Sequence, residues 1–192
     1  MPNHITNRLK INGSQKEINE VLEFIKIDKS QFGDKIEGVG TIDFNKITPM
    51  PKWVHRGNLT KEDELKYGAE YCWYEWCCNN WGTKWNAYDQ KDIRTKDNVI
   101  YFKTAWNNVL DLMQKLARIF PNIEFEYSYC SEDYGCNLGK YVLKDTEIIN
   151  SYLPQERSKE AFELVFDIEC CKPEDIYLEF DTESGTYIYN EY

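Results

Sequence analysis

The sequence has little of what would declare an activity. Only two histidines, His4 and His55, occur in 192 residues, so imidazole acid–base chemistry has two candidates at most. His4 lies in an alternating segment that reads as a strand, and His55 lies in the Pro-bounded stretch KWVHRG. There is no G-x-S-x-G elbow, no phosphate-cradling P-loop and no Gly-rich dinucleotide turn. The seven cysteines are odd in number and include two adjacent pairs, Cys77-Cys78 and Cys170-Cys171. That pattern is unsuited to a disulfide framework and fits reduced thiols. Neither Cys72, Cys77 and Cys78 nor Cys130 and Cys136 follow zinc-knuckle spacing, so no metal and no cofactor is expected. No apolar run approaches a membrane span. The opening MPNHITNRLKING alternates and has no apolar h-region, so it does not read as a signal peptide. The expectation is a cytoplasmic, non-enzymatic protein with no catalytic residue assigned.

A basic excess is missing too. The net charge is −10, with 33 acidic against 23 basic residues, which leaves no electrostatic footprint for a nucleic-acid backbone. The charge is uneven: residues 1–96 hold 15 basic and 14 acidic residues, while residues 145–192 hold 3 and 13, a net of −10. What is abundant is aromatic and apolar side chain, 15% and 42%, enough for a real core.

The hydrophobic periodicity gives an order of elements. His4 to Ile11 alternates as a half-buried strand. Ser14 and Glu17 form a capping box for a helix to about Ile27, with Ile18, Val21, Leu22 and Ile25 at helical spacing. Residues 28–40, with Gly33, Gly38 and Gly40, read as loop, Thr41 to Thr48 as a strand, and residues 52–62 as an exposed insertion. A helix is expected over Asp63 to Trp81, closed by Gly82 in a left-handed cap. Strands follow at Thr83–Tyr88 and Val99–Thr104, a helix at Trp106–Ile119, and strands at Ile123–Tyr129 and Leu138–Leu143. With the insertion at about 52–82 set aside, this is β-α-β-β-α-β, an α+β ferredoxin-like sandwich with two helices on one face of an antiparallel sheet. That domain spans 1–143. Residues 144–192 form an acidic extension of one helix near 156–167 and a hairpin, Ile176–Phe180 with Thr186–Tyr189.

Four of the six tryptophans fall in one stretch, YCWYEWCCNNWGTKWNAYD, residues 71–89. Together with the opening MPNHITNRLKINGS, the element FKTAW (102–106) and FPNIEFEYSY (120–129), the block CCNNWGTKWNAYD resembles the YubB-type ferredoxin-like family of phage and plasmid proteins. The resemblance covers most of residues 1–143. It implies a ferredoxin-like core, a mobile-element origin and a bacterial host cell, and it supplies no catalytic residue. His4, the sequence Asn107-Asn108-Val109 after the TAW element, and CSEDYGCNLGKY depart from the family pattern.

Two surfaces are candidates. Within the family motif, Trp81, Trp85 and Trp106 are expected between the sheet and the insertion helix, while Lys84, Asn86 and any exposed ring could stack on and hydrogen-bond a base or a peptide. VIYFKTAW lacks the signature of RNA-recognition strands, so packing is the favoured reading and direct nucleic-acid binding is not expected. The second surface is acidic. Glu174, Asp175, Glu179, Asp181 and Glu183 could imitate a phosphate backbone toward a basic groove, or simply solvate a rim that covers a sheet edge. The expected function is an accessory protein that binds and modulates or inhibits a host nucleic-acid-handling or defence protein with a basic surface. The alternatives are a single-stranded nucleic-acid-binding module using the Trp-rich surface, or a Cys/His hydrolase whose thiol and imidazole are brought together only by the fold.

Overall fold

The computed structural model describes residues 3–29 and 36–190; part of the loop expected over 28–40, including Gly33, lies outside them. β1 (His4–Asn12) puts Ile5, Asn7, Leu9 and Ile11 on one face, all fully buried. α1 (Gln15–Ile25) begins with the expected capping box, in which the Ser14 N–H donates to the Glu17 carboxylate at 2.7 Å, and it buries Ile18, Val21, Leu22 and Ile25.

The strand expected over Thr41–Thr48 is instead a helical turn, α2 (Phe44–Ile47), capped by the Asp43 side chain. Phe44 and Ile47 are three apart and both buried, so one helical turn buries two side chains that alternation would have put on opposite faces. The single helix expected over Asp63–Trp81 is broken into α3 (Lys61–Tyr67), a 3-10 turn and α4 (Trp73–Trp81). Gly68, at φ 86°, ends α3, and Cys72 is extended so that the flanking backbone pairs with His55: the His55 N–H donates to the Tyr71 carbonyl and the Trp73 N–H to the His55 carbonyl. Gly82 closes α4 in the left-handed region as expected, at φ 77° and ψ 4°, where a Cβ is strained.

No regular strand forms over Thr83–Tyr88. The segment makes one antiparallel bridge, Tyr88 with Lys103, on the outer side of β2 (Val99–Ala105). The helix expected from Trp106 starts later, as α5 (Leu110–Ile119), because Trp106 takes a left-handed turn at φ 70°. β3 (Glu124–Ser131), β4 (Leu138–Lys144) and β5 (Glu147–Tyr152) follow. The sheet order is β2-β1-β3-β4-β5, antiparallel throughout. β5 was not legible: Ile148 and Ile149 are adjacent, both exposed, and give no alternation.

This is the ferredoxin-like arrangement with one strand reduced. β1, β2 and β3 are the first, third and fourth strands of that fold, α1 and α5 share one core, and the 83–88 segment stands where the second strand would pair with β2. The main core lies on that face and includes Phe44 from α2 and Trp76 and Trp81 from the insertion. The other face carries α6 (Lys159–Glu169), whose Ala161, Leu164, Val165 and Ile168 pack with Cys130 and Leu138. A two-stranded hairpin, β6 (Leu178–Asp181) and β7 (Thr186–Tyr189), leans on α6 through Tyr187, whose ring meets Phe162 and Phe166. No helix among the described residues is long and apolar enough to cross a membrane.

Candidate functional site

The motif residues part company in space. Trp81 is buried and its indole N–H donates to the Thr48 carbonyl at 2.9 Å. Trp85 is half-buried, and Trp106 keeps about a third of its surface exposed. The Lys84 ammonium lies over both of the latter rings, 4.7 Å from Trp85 and 5.1 Å from Trp106, a cation–π arrangement. The expectation that all three indoles fill the interior therefore holds for Trp81 alone.

The polar residues of the motif act on the backbone. The Thr83 hydroxyl donates to the Ala105 carbonyl at 2.9 Å and accepts the Ala105 N–H at 3.0 Å. Asn86 accepts the Phe44 N–H at 2.9 Å and the Ala87 N–H, and donates to Asp43 Oδ1 at 2.6 Å. Gln90, buried, accepts the Ile42 N–H and donates to the Ile42 and Ala87 carbonyls. Each side chain thus satisfies peptide groups that a regular second strand would have paired, which buried backbone requires. The Asn86 amide oxygen is fully occupied by these backbone N–H groups, and one Nδ2 hydrogen is left over.

Residues 80–172 match a family described as the ferredoxin-like domain in Api92-like protein. The chain is similar to that family over just under half its length, from the end of α4 through the motif, β2 to β5 and α6. No curated protein and no solved structure matches the chain.

Beside the motif is a cleft of 570 Å³ between α2, the 50–59 segment, α4 and Trp85. Trp73, Trp81 and Trp85 wall it, and among the described residues Arg56 is its only charged lining residue. On the opposite face of the sheet a second cleft of 530 Å³ is lined by Arg8, Lys10, Arg94, Lys96 and Lys140 among others. Most of those cations have partners. Arg8 pairs with Asp167, Arg94 pairs with both Asp92 and Glu169, and Glu126 takes both Lys10 and Lys140. The two arginines also donate to the Asp167 and Glu169 carbonyls, satisfying the open C-terminal end of α6. This cleft is where α6 is pinned to the sheet.

Five of the seven thiols are poorly suited to nucleophilic work. Burial raises the Cys77 thiol to about 12 and pushes Cys72, Cys78, Cys130 and Cys171 up as well, which holds them as thiols. Cys72 meets His55 through backbone, and the His55 ring stacks on Tyr67 at 4.3 Å. His4 Nδ1 bonds the Tyr88 hydroxyl, whose pKa burial raises to about 12. Among the described residues no group of three His, Cys, Asp or Glu side chains is placed to hold a metal ion.

Glu174 and Asp175 lie on a 3-10 turn before the hairpin, Glu179 and Asp181 on β6, and Glu183 in its turn. Four of the five are exposed and none has a Lys or Arg partner within salt-bridge distance among the described residues. Asp181 accepts the Glu183 and Ser184 N–H groups, which lowers its pKa and shapes the turn. By contrast Asp167, Glu169 and Glu163 on α6 are ion-paired.

Proposed function

We propose that this chain is a non-enzymatic accessory protein of a mobile element that docks, through its acidic C-terminal end, onto a basic surface of a host nucleic-acid-handling or defence protein. One observation supports the reading: among the described residues the carboxylates of the 174–183 segment have no Lys or Arg partner, while Asp167 and Glu169 of α6 are neutralised by Arg8 and Arg94. Uncompensated charge on a rigid hairpin speeds and orients docking to a surface of opposite sign. The raised thiols of Cys72, Cys77, Cys78, Cys130 and Cys171 speak against a hydrolase built on them, and the Asn86 amide oxygen, occupied by two backbone N–H groups, against base readout by the motif.

The test is affinity capture from a lysate of the natural host at low and moderate salt, with and without nuclease. A stoichiometric basic protein that survives nuclease and weakens with salt is expected. The triple variant Glu179→Lys, Asp181→Lys, Glu183→Lys should lose it; undiminished capture by that variant, or recovery of nucleic acid alone, would overturn the reading.

A further inference from the structure

The Trp-walled cleft has a chemistry that the acidic end does not use. Among the described residues no Asp or Glu lines it, and its one charged lining residue is a cation, Arg56. Arg56 makes no ion pair among the described residues; its guanidinium donates once, to the Met50 carbonyl at 3.0 Å. Arg118 and Arg157 also lack a carboxylate partner among the described residues, but Arg56 is the one that lines an apolar, Trp-walled cleft, where its guanidinium fork matches carboxylate or phosphate oxygens.

The remaining polar groups point the same way. Trp73 and Trp81 already donate their indole N–H groups, to the Gly57 and Thr48 carbonyls, so they offer a ligand only ring carbon. The Asn86 amide is taken up by Asp43, Phe44 and Ala87, and Asn45 by Asp43 and Met50. What stays unengaged among the described side chains is the rest of the Arg56 fork, the Trp85 indole N–H, the Asn58 amide and one amide N–H each of Asn45 and Asn86, a set dominated by donors. The Cys77 thiol on the wall is kept protonated by burial and adds no negative charge.

The volume, 570 Å³, is that of a small-molecule site, in which an apolar body and a few polar groups fix orientation. Three indoles favour a flat ring over an aliphatic chain, because aromatic pairs gain stacking or edge contacts beyond area burial. We infer that the cleft binds a planar aromatic anion, a ring carrying a carboxylate or phosphate, with the ring among Trp73, Trp81 and Trp85 and the anion on Arg56.

The probes are 2-naphthoate, its neutral analogue 2-naphthalenemethanol, and adenosine 5′-monophosphate, titrated into the full chain and followed by the indole N–H signals in ¹H–¹⁵N spectra. Naphthoate should shift the signals of Trp73, Trp81 and Trp85 and leave those of Trp53 and Trp106 in place. Arg56→Gln, on an exposed residue, should weaken naphthoate by about tenfold or more and leave the neutral analogue unchanged. Asn58→Asp, which adds a carboxylate at the cleft, should do the same. Tighter binding of the nucleotide than of naphthoate would assign the anion as phosphate, and the reverse as carboxylate. The inference is overturned if naphthoate leaves the three indoles unmoved at millimolar concentration, if the neutral analogue binds equally well, or if Arg56→Gln has no effect on naphthoate.

Discussion

Asn86 Nδ2 lies 2.6 Å from Asp43 Oδ1, and the other side of the same amide accepts the Phe44 N–H at 2.9 Å. One side chain from the 83–88 segment thereby holds the N-terminus of α2. Asn86→Ala leaves the Phe44 N–H and the Asp43 carboxylate short of partners and should cost about 1–3 kcal/mol in denaturant unfolding. Asn86→Asp keeps the acceptor but sets two carboxylates against each other. Its deficit should be largest near pH 7 and shrink toward pH 4, because the repulsion raises the folded-state pKa of one carboxyl and protonation relieves it. A deficit independent of pH would mean that the contact is not the one described.

Tyr127 organises the centre of the main core. Its hydroxyl donates to Asn7 Oδ1 at 2.6 Å and accepts the Val109 N–H at 2.9 Å, and both residues are fully buried. Asn7 in turn donates to the Ile5 carbonyl and to Thr104 Oγ1. Tyr127→Phe keeps the packing but orphans a buried acceptor and a buried donor, so a loss of about 2 kcal/mol is expected. Chemical denaturation reads it, and a loss below about 0.5 kcal/mol would show that the network adds nothing net.

Arg94 should matter more to α6 than to the rest of the fold. It bridges Asp92 at 2.8 Å and Glu169 at 2.7 Å, and the partners raise its pKa. Arg94→Ala should speed hydrogen exchange across Lys159–Glu169 while the β1–β3 ladder stays protected. Arg94→Lys should rescue only part of that protection, because an ammonium cannot hold both carboxylates with a planar fork.

The acid limb of stability should carry a contribution from Glu126. Asn12, then Lys10 and Lys140, hold its carboxyl down to about 2, against an ordinary value of 4.5. A depressed folded-state pKa contributes stability that is present above the unfolded value and lost as pH falls through the folded one. Wild-type melting temperature should therefore drop between about pH 4.5 and pH 2 with a component that Glu126→Gln lacks. Parallel pH profiles of the two proteins would contradict this.

Thiol labelling gives an independent check on burial. Cys170 is exposed and should react first with a thiol reagent, while Cys72, Cys77 and Cys130 are buried and should react only on unfolding. Prompt labelling of Cys77 in the native protein would contradict a thiol raised to about 12.

Some features are decided locally, and these the sequence alone determined. The Ser14–Glu17 box, the Ile18–Ile25 face, the Gly82 cap and the alternation of β1 and β3 rest on neighbouring residues, so periodicity and capping chemistry are enough to place them. The pooling of carboxylates in the last 48 residues is likewise plain from composition. The tertiary structure decided where distant groups compete for the same backbone. Thr41–Thr48 alternates well enough for a strand, yet Gln90 and Asn86, more than forty residues away, bind its peptide groups through side chains, and no partner strand is supplied. The roles of Thr83, Asn86 and Gln90, the lack of an ion pair for Arg56 among the described residues, and the docking of α6 by Arg8 and Arg94 follow from contacts between segments far apart in the chain. Such contacts leave no periodic mark in a single sequence, because what fixes them is the geometry of a sheet that exists only once the chain has folded.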